Sequence, residues 1–197
     1  MEAKHLSLER LWTNLSFVLR PGGMLQITGA NGAGKSSLLA VLCGLAAPDR
    51  GEVSWRRQNI RDAAEDYFSD LIYVGHKNGI KEDMTPLENL RVVAAFRCGA
   101  PLFSPERALE KTGLSGVRAL CRHLSAGQKR RAALARLLLH RAALWFLDEP
   151  RAGLDADGRR VLDDIVAAHL STGGVAVTAT HHPDAVAGAQ ILRLGRN

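Results

Sequence analysis

GANGAGKS, at residues 29–36, decides the fold, because it fits the pattern G-x-x-x-x-G-K-[ST] of a phosphate-binding loop. An apolar run at 24–28 precedes it, and a segment with leucines at helical spacing follows it at 35–43. A strand that leads through glycines into a helix aims backbone N–H groups and the positive helix end at one point. The stretch therefore predicts a polyphosphate site between a strand and a helix.

The positions of this phosphate loop have individual predicted roles. Gly32 and Gly34 let the backbone approach the phosphates closely, where a Cβ would obstruct it. We expect Lys35 to reach the β and γ phosphates and Ser36 to ligate Mg²⁺. The complete predicted nucleotide-binding set of the loop is Gly29, Ala30, Asn31, Gly32, Ala33, Gly34, Lys35, Ser36 and Ser37.

A second stretch, LWFLDEP at residues 144–150, places two carboxylates after four apolar residues. A buried strand that ends in Asp148 carries that carboxylate to the carboxyl edge of the sheet, which is also where the phosphate loop lies. Asp148 is therefore a predicted Mg²⁺ ligand, directly or through water. Glu149 is a predicted general base that accepts a proton from the water attacking the γ-phosphate.

The rest of the chain alternates short apolar runs with helical patterns, which indicates an α/β fold with a mainly parallel sheet. We predict strands at 15–19, 24–28, 71–74, 144–147 and 175–180, and helices at 35–43, 87–96, 105–112, 126–140 and 158–170. Helix-start signals occur at Thr85–Pro86 and Ser104–Pro105. We interpret the whole of 1–197 as one domain, with a core at 1–76 and 125–197 and an inserted helical lobe at about 77–124.

Composition sets limits on the class of protein. The net charge is +6, but the arginines are scattered, as in the pairs at 56–57, 130–131 and 159–160. We interpret them as solvated surface and not as a nucleic-acid face. No apolar run is long enough for a membrane helix, and the first ten residues lack the apolar core of a signal peptide. Cys43, Cys98 and Cys121 are predicted to be reduced thiols.

A third motif, LSAGQ at 124–128, precedes a helical pattern. Ser125 is a predicted N-cap, and Gly127 leaves the N-terminal amides of the helix unobstructed. This is a second anion site in a chain that already has one. Such a duplication makes sense if it serves the nucleotide of another subunit.

Together, GANGAGKS, LSAGQ, LDEP, GLD and the histidine in TATHH resemble the ATP-binding-cassette (ABC) ATPases in order and spacing. The resemblance implies a P-loop NTPase core with a small N-terminal antiparallel β portion. It also implies a head-to-tail homodimer in which Ser125, Gly127 and Gln128 contact the ATP of the other subunit. Asp155 would couple the two sites. His181 would contact the γ-phosphate and support Glu149, with the adjacent His182 as the less favoured choice.

A narrower resemblance involves YVGHKNGIKEDMTPLENLR at 73–91, which is similar to the ATP-binding subunits of the cytochrome c biogenesis haem exporter. That family implies ATP hydrolysis, Mg²⁺, and integral membrane transporter subunits as partners. It also implies a peripheral location on the cytoplasmic face of the inner membrane. We expect no direct nucleic-acid binding. We also expect no direct haem binding, because the sequence has no C-x-x-C-H and no convincing axial histidine pair.

Two departures from the family pattern leave alternatives open. Lys77 lies where these ATPases usually carry a glutamine, so it either contacts phosphate or its loop points away. Trp12 is either the aromatic that stacks on adenine or a packed core residue. Alternative functions are an ABC ATPase subunit for another substrate, a soluble ABC ATPase acting on DNA or ribosomes, and a weakly active nucleotide switch.

Overall fold

The computed structural model describes residues 1–9, 11–96, 101–181 and 188–195. The strands are β1 (Glu2–Leu8), β2 (Trp12–Val18), β3 (Met24–Thr28), β4 (Arg50–Trp55), β5 (Gln58–Asn59), β6 (Leu71–Val74), β7 (Leu144–Asp148), β8 (Val175–Thr180) and β9 (Gln190–Arg193). The helices are α1 (Lys35–Leu42), α2 (Ala64–Ser69), α3 (Pro86–Ala95), α4 (Pro105–Lys111), α5 (Ala126–Ala135) and α6 (Ala156–Ser171).

The chain divides into two compact units. The first unit comprises Met1–Tyr73, Ala142–Glu149 and His169–Asn197, and the second comprises Val74–Arg141 and Pro150–Ala168. The boundaries predicted for a core and a helical lobe stay a prediction.

A five-stranded sheet in the order β6-β7-β8-β3-β9 organises the first unit. β7 pairs with β8, β8 with β3, and β3 with β9, all in parallel. β3 and β7 are buried at every position. A parallel strand covered on both faces favours a continuous apolar run over alternation, which is the pattern that predicted these two strands. This sheet confirms the predicted α/β class, and it brings the carboxyl ends of β3, β7 and β8 to one edge.

A four-stranded antiparallel sheet in the order β2-β1-β4-β5 also lies in the first unit and confirms the predicted antiparallel portion. The sequence indicated only one of its strands, at 15–19, because the others lack clean alternation. Register shifts interrupt β1 against β2 and against β4. His5 and Asn14 adopt left-handed backbone conformations there, with φ of 49° and 53°, and their side chains hydrogen-bond at 2.7 Å. Such bulges hide the two-residue period.

The helices of the second unit begin where the sequence predicts. Thr85 caps α3 in a capping box with Glu88, Ser104 caps α4, and Pro occupies the first helical position of both. α5 ends earlier than the predicted residue 140, because the chain tightens into a 3₁₀ turn at Arg136–Leu138. In the described parts of 77–124 there is no strand, as expected.

Two of the three cysteines, Cys43 and Cys121, are buried free thiols, and Cys98 lies outside the described residues. Over the part of the chain that the structure describes, each helix is too short or too polar to span a bilayer.

The end of α6 contains a pH-sensitive contact. The His169 ring stacks on Trp145 with centroids 3.8 Å apart, and its Nε2 lies 3.2 Å from the Val175 carbonyl oxygen. Burial lowers the pKa of His169, an effect that the hydrogen bond to Val175 partly opposes. The unfolded chain therefore binds the proton more tightly than the folded one. The contribution of this neutral histidine to the free energy of unfolding is fully present above the ordinary imidazole pKa of about 6.5. It is lost as the pH falls towards the lower pKa of the folded state.

We expect the melting temperature of the wild type to fall more steeply between pH 7.5 and pH 5.5 than that of His169→Gln, which cannot titrate. Calorimetry at several pH values measures this slope. His123→Gln is the matched control for the loss of an imidazole, because His123 is exposed. Equal slopes for the wild type and His169→Gln would contradict the prediction.

Candidate functional site

The phosphate loop connects β3 to α1, as predicted, and Lys35 is its first helical residue. The side chain of Lys35 turns back over the loop, and its ammonium donates hydrogen bonds to the Gly29 carbonyl at 2.9 Å and the Ala30 carbonyl at 3.1 Å. Lys35 is only 8% exposed. A buried cation held by neutral carbonyls is suited to an anion, because phosphate oxygens satisfy its charge as carbonyls cannot.

Gly34 links the loop to Trp12. Gly34 has a φ of +85°, and a Cβ on it would lie 2.9 Å from the indole Nε1 of Trp12. That indole donates a hydrogen bond to the Gly34 carbonyl at 3.4 Å, and Trp12 is 3% exposed within the hydrophobic core. Of the two interpretations that the sequence left open for Trp12, the structure supports the packed core residue.

Ser36 and Asp148, the two predicted Mg²⁺ ligands, lie in direct contact. The Ser36 hydroxyl donates a 2.8 Å hydrogen bond to Oδ2 of Asp148 across 112 residues of sequence. Asp148 is the last residue of β7 and is 4% exposed. The described residues hold no cluster of three or more His, Cys, Asp or Glu side chains suited to a metal. A hydroxyl and one carboxylate fit Mg²⁺, which takes few protein ligands and completes its shell with water and phosphate oxygens.

Glu149 faces the end of β8. Its backbone has a φ of 46°, a left-handed conformation that is uncommon outside glycine, and its N–H donates to the Ala179 carbonyl. Oε1 lies 2.8 Å from Nδ1 of His181 and accepts a 3.0 Å hydrogen bond from the His181 backbone N–H. Oε2 accepts from the Thr180 hydroxyl at 3.4 Å. The structure thus pairs the two predicted catalytic side chains, while His182 lies outside the described residues.

The LSAGQ segment lies in the second unit. Ser125 caps α5, and its Oγ accepts the Gln128 backbone N–H at 3.2 Å, while the Gln128 side chain accepts the Ser125 N–H at 3.0 Å. Asp155 lies before α6 and accepts the Gly158 N–H at 2.8 Å. Arg131 forms a 3.6 Å ion pair with Asp155. These contacts confirm the predicted N-cap, whereas the predicted roles of Ser125, Gly127, Gln128 and Asp155 towards nucleotide stay predictions.

The same segment explains why LSAGQ has alanine and then glycine. A Cβ on Gly127 would lie 2.8 Å from the Gly153 carbonyl oxygen, closer than real Cβ contacts come. Ala126, by contrast, is exposed, so its methyl group has room. The second position of the pair therefore requires glycine, and the first tolerates a methyl group.

We expect Gly127→Ala to destabilise the protein by about 1–3 kcal/mol, because the added methyl group pushes against the backbone at Gly153. Urea unfolding measures the loss. Ala126→Gly is the matched control and should cost no more than about 1 kcal/mol, the helix propensity difference. A Gly127→Ala variant as stable as the wild type would contradict this close approach.

The loop after β6 contacts Arg130, for which the sequence prediction was wrong. Arg130 was predicted to be solvated surface, but it is 3% exposed. Its guanidinium donates hydrogen bonds to the Gly75 carbonyl, to the Asn78 side chain and to the Pro150 carbonyl. The pair Arg130–Arg131 resembles a surface charge run in sequence, and only the helical period relative to Ser125 could have indicated that Arg130 points inward. Lys77, in the loop itself, is exposed, and its role stays open.

Comparisons with known proteins place this geometry in context. The ABC transporter family model matches residues 12–152. The cytochrome c biogenesis ATP-binding export protein CcmA of Nitrosospira multiformis is 43% identical over 188 residues, which cover 94% of this chain and 91% of that protein. CcmA of Escherichia coli K12 is 44% identical over 199 residues, covering 98% and 95%. A putative ABC transporter ATP-binding protein structure from Pyrococcus furiosus superposes with a TM-score of 0.85 at 21% identity, covering 98% and 96%.

Proposed function

This chain belongs to the ABC transporter family of ATP-binding proteins, and on that basis we propose that it is the ATP-hydrolysing subunit of the cytochrome c biogenesis export complex. The observation that carries the ATPase part of this proposal is the 2.8 Å hydrogen bond between Ser36 and Asp148, and the cytochrome c part rests on the similarity to the CcmA proteins. The hydrogen bond joins the phosphate loop to the acidic end of β7, and this pairing has a clear use in handling a magnesium-bound triphosphate.

The substrate is ATP, held by the loop at residues 29–37. Lys35 exchanges its two carbonyl partners for phosphate oxygens, which are stronger acceptors. Ser36 and Asp148 would hold Mg²⁺, which neutralises charge on the phosphate oxygens during the reaction. The crowding of negative charge from Asp148, Glu149 and the triphosphate makes such a cation necessary.

Hydrolysis depends on Glu149 and His181. Glu149 accepts the proton of the attacking water, and a carboxylate already oriented by hydrogen bonds at both oxygens loses little freedom in doing so. A ring that carries hydrogen on both nitrogens can donate from Nδ1 to this carboxylate and from Nε2 to a phosphate oxygen. His181 thus orients the base and faces the reacting phosphate with its other nitrogen.

The ATPase acts as a homodimer with two nucleotides at the interface. Ser125, Gly127 and Gln128 begin α5, where N-terminal amides and the helix dipole favour an anion. Each subunit would supply this helix start to the ATP bound by the phosphate loop of the other, and Asp155 would couple the two sites. Integral membrane subunits on the inner membrane would dock on the loop at 77–82, and haem would be handled by those partners.

A mixing experiment tests the shared site. Lys35→Ala removes the phosphate-loop cation, and Ser125→Arg blocks the helix start, so each homodimer should be inactive. Mixed dimers regain one complete site, and random pairing should restore about one quarter of the wild-type ATPase rate. Ser104→Arg is the matched control, because it removes the N-cap of α4 in the same unit and should keep its activity. Failure of the mixture to exceed the two single variants would exclude the shared site.

A second experiment tests the partner class. The tagged chain is purified from detergent-solubilised membranes of cells that make cytochromes c, and the bound proteins are identified by mass spectrometry. We expect integral membrane haem-handling proteins. Recovery of membrane subunits for another cargo would leave the ATPase assignment standing and overturn the cytochrome c assignment. Recovery of ribosomes or DNA instead would overturn the transport function.

A further inference from the structure

Arg130 is a buried cation on the second turn of α5, five residues after Ser125. It is 3% exposed, in a position where a guanidinium without partners would be costly. Its Nε donates to the Pro150 carbonyl at 3.2 Å. Its Nη1 donates to the Gly75 carbonyl at 2.9 Å and to Oδ1 of Asn78 at 3.1 Å.

These acceptors belong to two segments that are distant in sequence. Gly75 and Asn78 lie 55 and 52 residues before Arg130, and Pro150 lies 20 residues after it. A guanidinium has five N–H donors in a rigid planar fork, so one side chain can hold divergent acceptors at once. A lysine ammonium is a compact point charge on a flexible stem and cannot reproduce that geometry.

Neighbouring cations on the same stretch continue this attachment. Arg136 donates to the Asn78 carbonyl at 2.8 Å, and Lys129 pairs with Glu82 at 2.8 Å. The Arg122 backbone N–H also donates to the Glu82 carbonyl at 3.0 Å. These contacts attach the loop from Gly75 to Glu82, which carries Lys77, to α5 and to the residues next to it.

We propose that Arg130 is a positioning residue for ATP hydrolysis, because its guanidinium holds the Gly75–Asn78 loop and the Pro150 turn to the helix that begins after Ser125. Pro150 directly follows Glu149 in the chain, and the loop carries Lys77 at the family's usual glutamine position. Arg130 thus connects three segments, of which the Pro150 turn directly follows the proposed base Glu149 and the helix begins at the proposed phosphate contact Ser125. The inference rests on the proposed ATPase function and extends it to a residue outside the sequence motifs.

Limited proteolysis tests the attachment without using activity. Arg130→Lys keeps the charge and the trypsin site but removes the fork. We expect trypsin to cut after Lys77 and after Arg151 at least about fivefold faster than in the wild type, because both segments open more often. Cleavage after Arg61, an exposed site in the first unit, is the internal reference and should not change. Unchanged cleavage at both segments would overturn the attachment.

Kinetics test the positioning role. Arg130→Lys should lower kcat about tenfold, because small misplacements of reacting groups are costly, while KM for ATP stays within about twofold. Arg107→Lys, in an exposed ion pair on α4, is the control and should match the wild type. A merely structural residue would change the melting temperature and KM together with kcat. Faster cleavage with an unchanged kcat would overturn the positioning role.

Asn78 supplies a milder pair of variants should Arg130→Lys fold poorly. Asn78→Ala removes one acceptor of the fork and should lower kcat severalfold, whereas Asn78→Asp keeps an acceptor oxygen and should retain the rate. Equal rates for the wild type and both variants would count against the inference. A wild type without any ATPase activity would overturn the proposed function instead, and the proteolysis result would still decide whether Arg130 attaches the two segments.

Discussion

Glu149→Gln should hydrolyse ATP about 10²–10³-fold more slowly than the wild type while still binding it, because a neutral amide cannot accept the proton of the attacking water. The amide side chain is nearly the same size as the carboxylate that it replaces. Its oxygen can still accept the hydrogen bond that the His181 backbone N–H gives to Glu149. The substitution therefore removes the base and leaves its surroundings in place. Steady-state phosphate release and equilibrium binding of a fluorescent ATP analogue measure the two quantities separately.

Glu52→Gln is the matched control for this change, because it neutralises an exposed carboxylate in the same unit and should leave turnover unaffected. If Glu149→Gln turned over ATP at the wild-type rate, Glu149 would not be the base. If nucleotide affinity fell together with the rate, the left-handed turn at Glu149 would instead be required for binding. Only a lower rate with intact binding agrees with the role we propose.

Lys35→Ala should weaken ATP binding roughly 100-fold, since hydrogen bonds to a charged group are worth about 1.5–3 kcal/mol each and each 1.4 kcal/mol is a factor of ten. In the structure the ammonium donates to the Gly29 and Ala30 carbonyls. In the complex the same donors would face the β and γ phosphates. Isothermal titration calorimetry with ATP and excess Mg²⁺ measures the loss.

Lys4→Ala is the control for this prediction, because Lys4 is a surface cation in the same unit, paired with Glu2 at 3.3 Å. Its loss should change ATP affinity by less than about twofold, as expected for a screened surface charge. Wild-type affinity in Lys35→Ala would mean that the loop backbone holds the phosphates without the side chain. In that case the phosphate-loop interpretation of residues 29–36 would need revision.

Local rules explain which parts of the structure could be predicted. Ser104, Thr85 and Ser125 cap helices at the predicted residues, because a hydroxyl before a helix satisfies orphan N–H groups wherever it occurs. Strands β3 and β7 could also be predicted, from continuous apolar runs, because a strand buried on both faces requires no alternation. The contact between Ser36 and Asp148 followed from the position of each at the carboxyl edge of the parallel sheet.

The features that escaped prediction depend on tertiary contacts. The pairing of β1 with β4 contains a register shift, so the side chains of β1 do not follow one alternating pattern. Arg130 has the pattern of a surface charge in sequence, because only the folded chain brings Gly75 and Pro150 within reach of it. Trp12 could not be assigned to the core until its packing was seen. The environment of a polar or amphipathic side chain is decided by its neighbours, which sequence spacing alone does not supply.

The capping box at the start of α5 restricts what residue 125 can be. The Ser125 oxygen already accepts a backbone N–H, yet a hydroxyl still has one proton to donate. An aspartate would cap the helix equally well and would repel a phosphate, whereas an alanine would neither cap the helix nor donate to an anion. Serine, threonine and asparagine can do both, so under the role that we propose for Ser125 one side chain would set where this helix begins and which charge its end accepts.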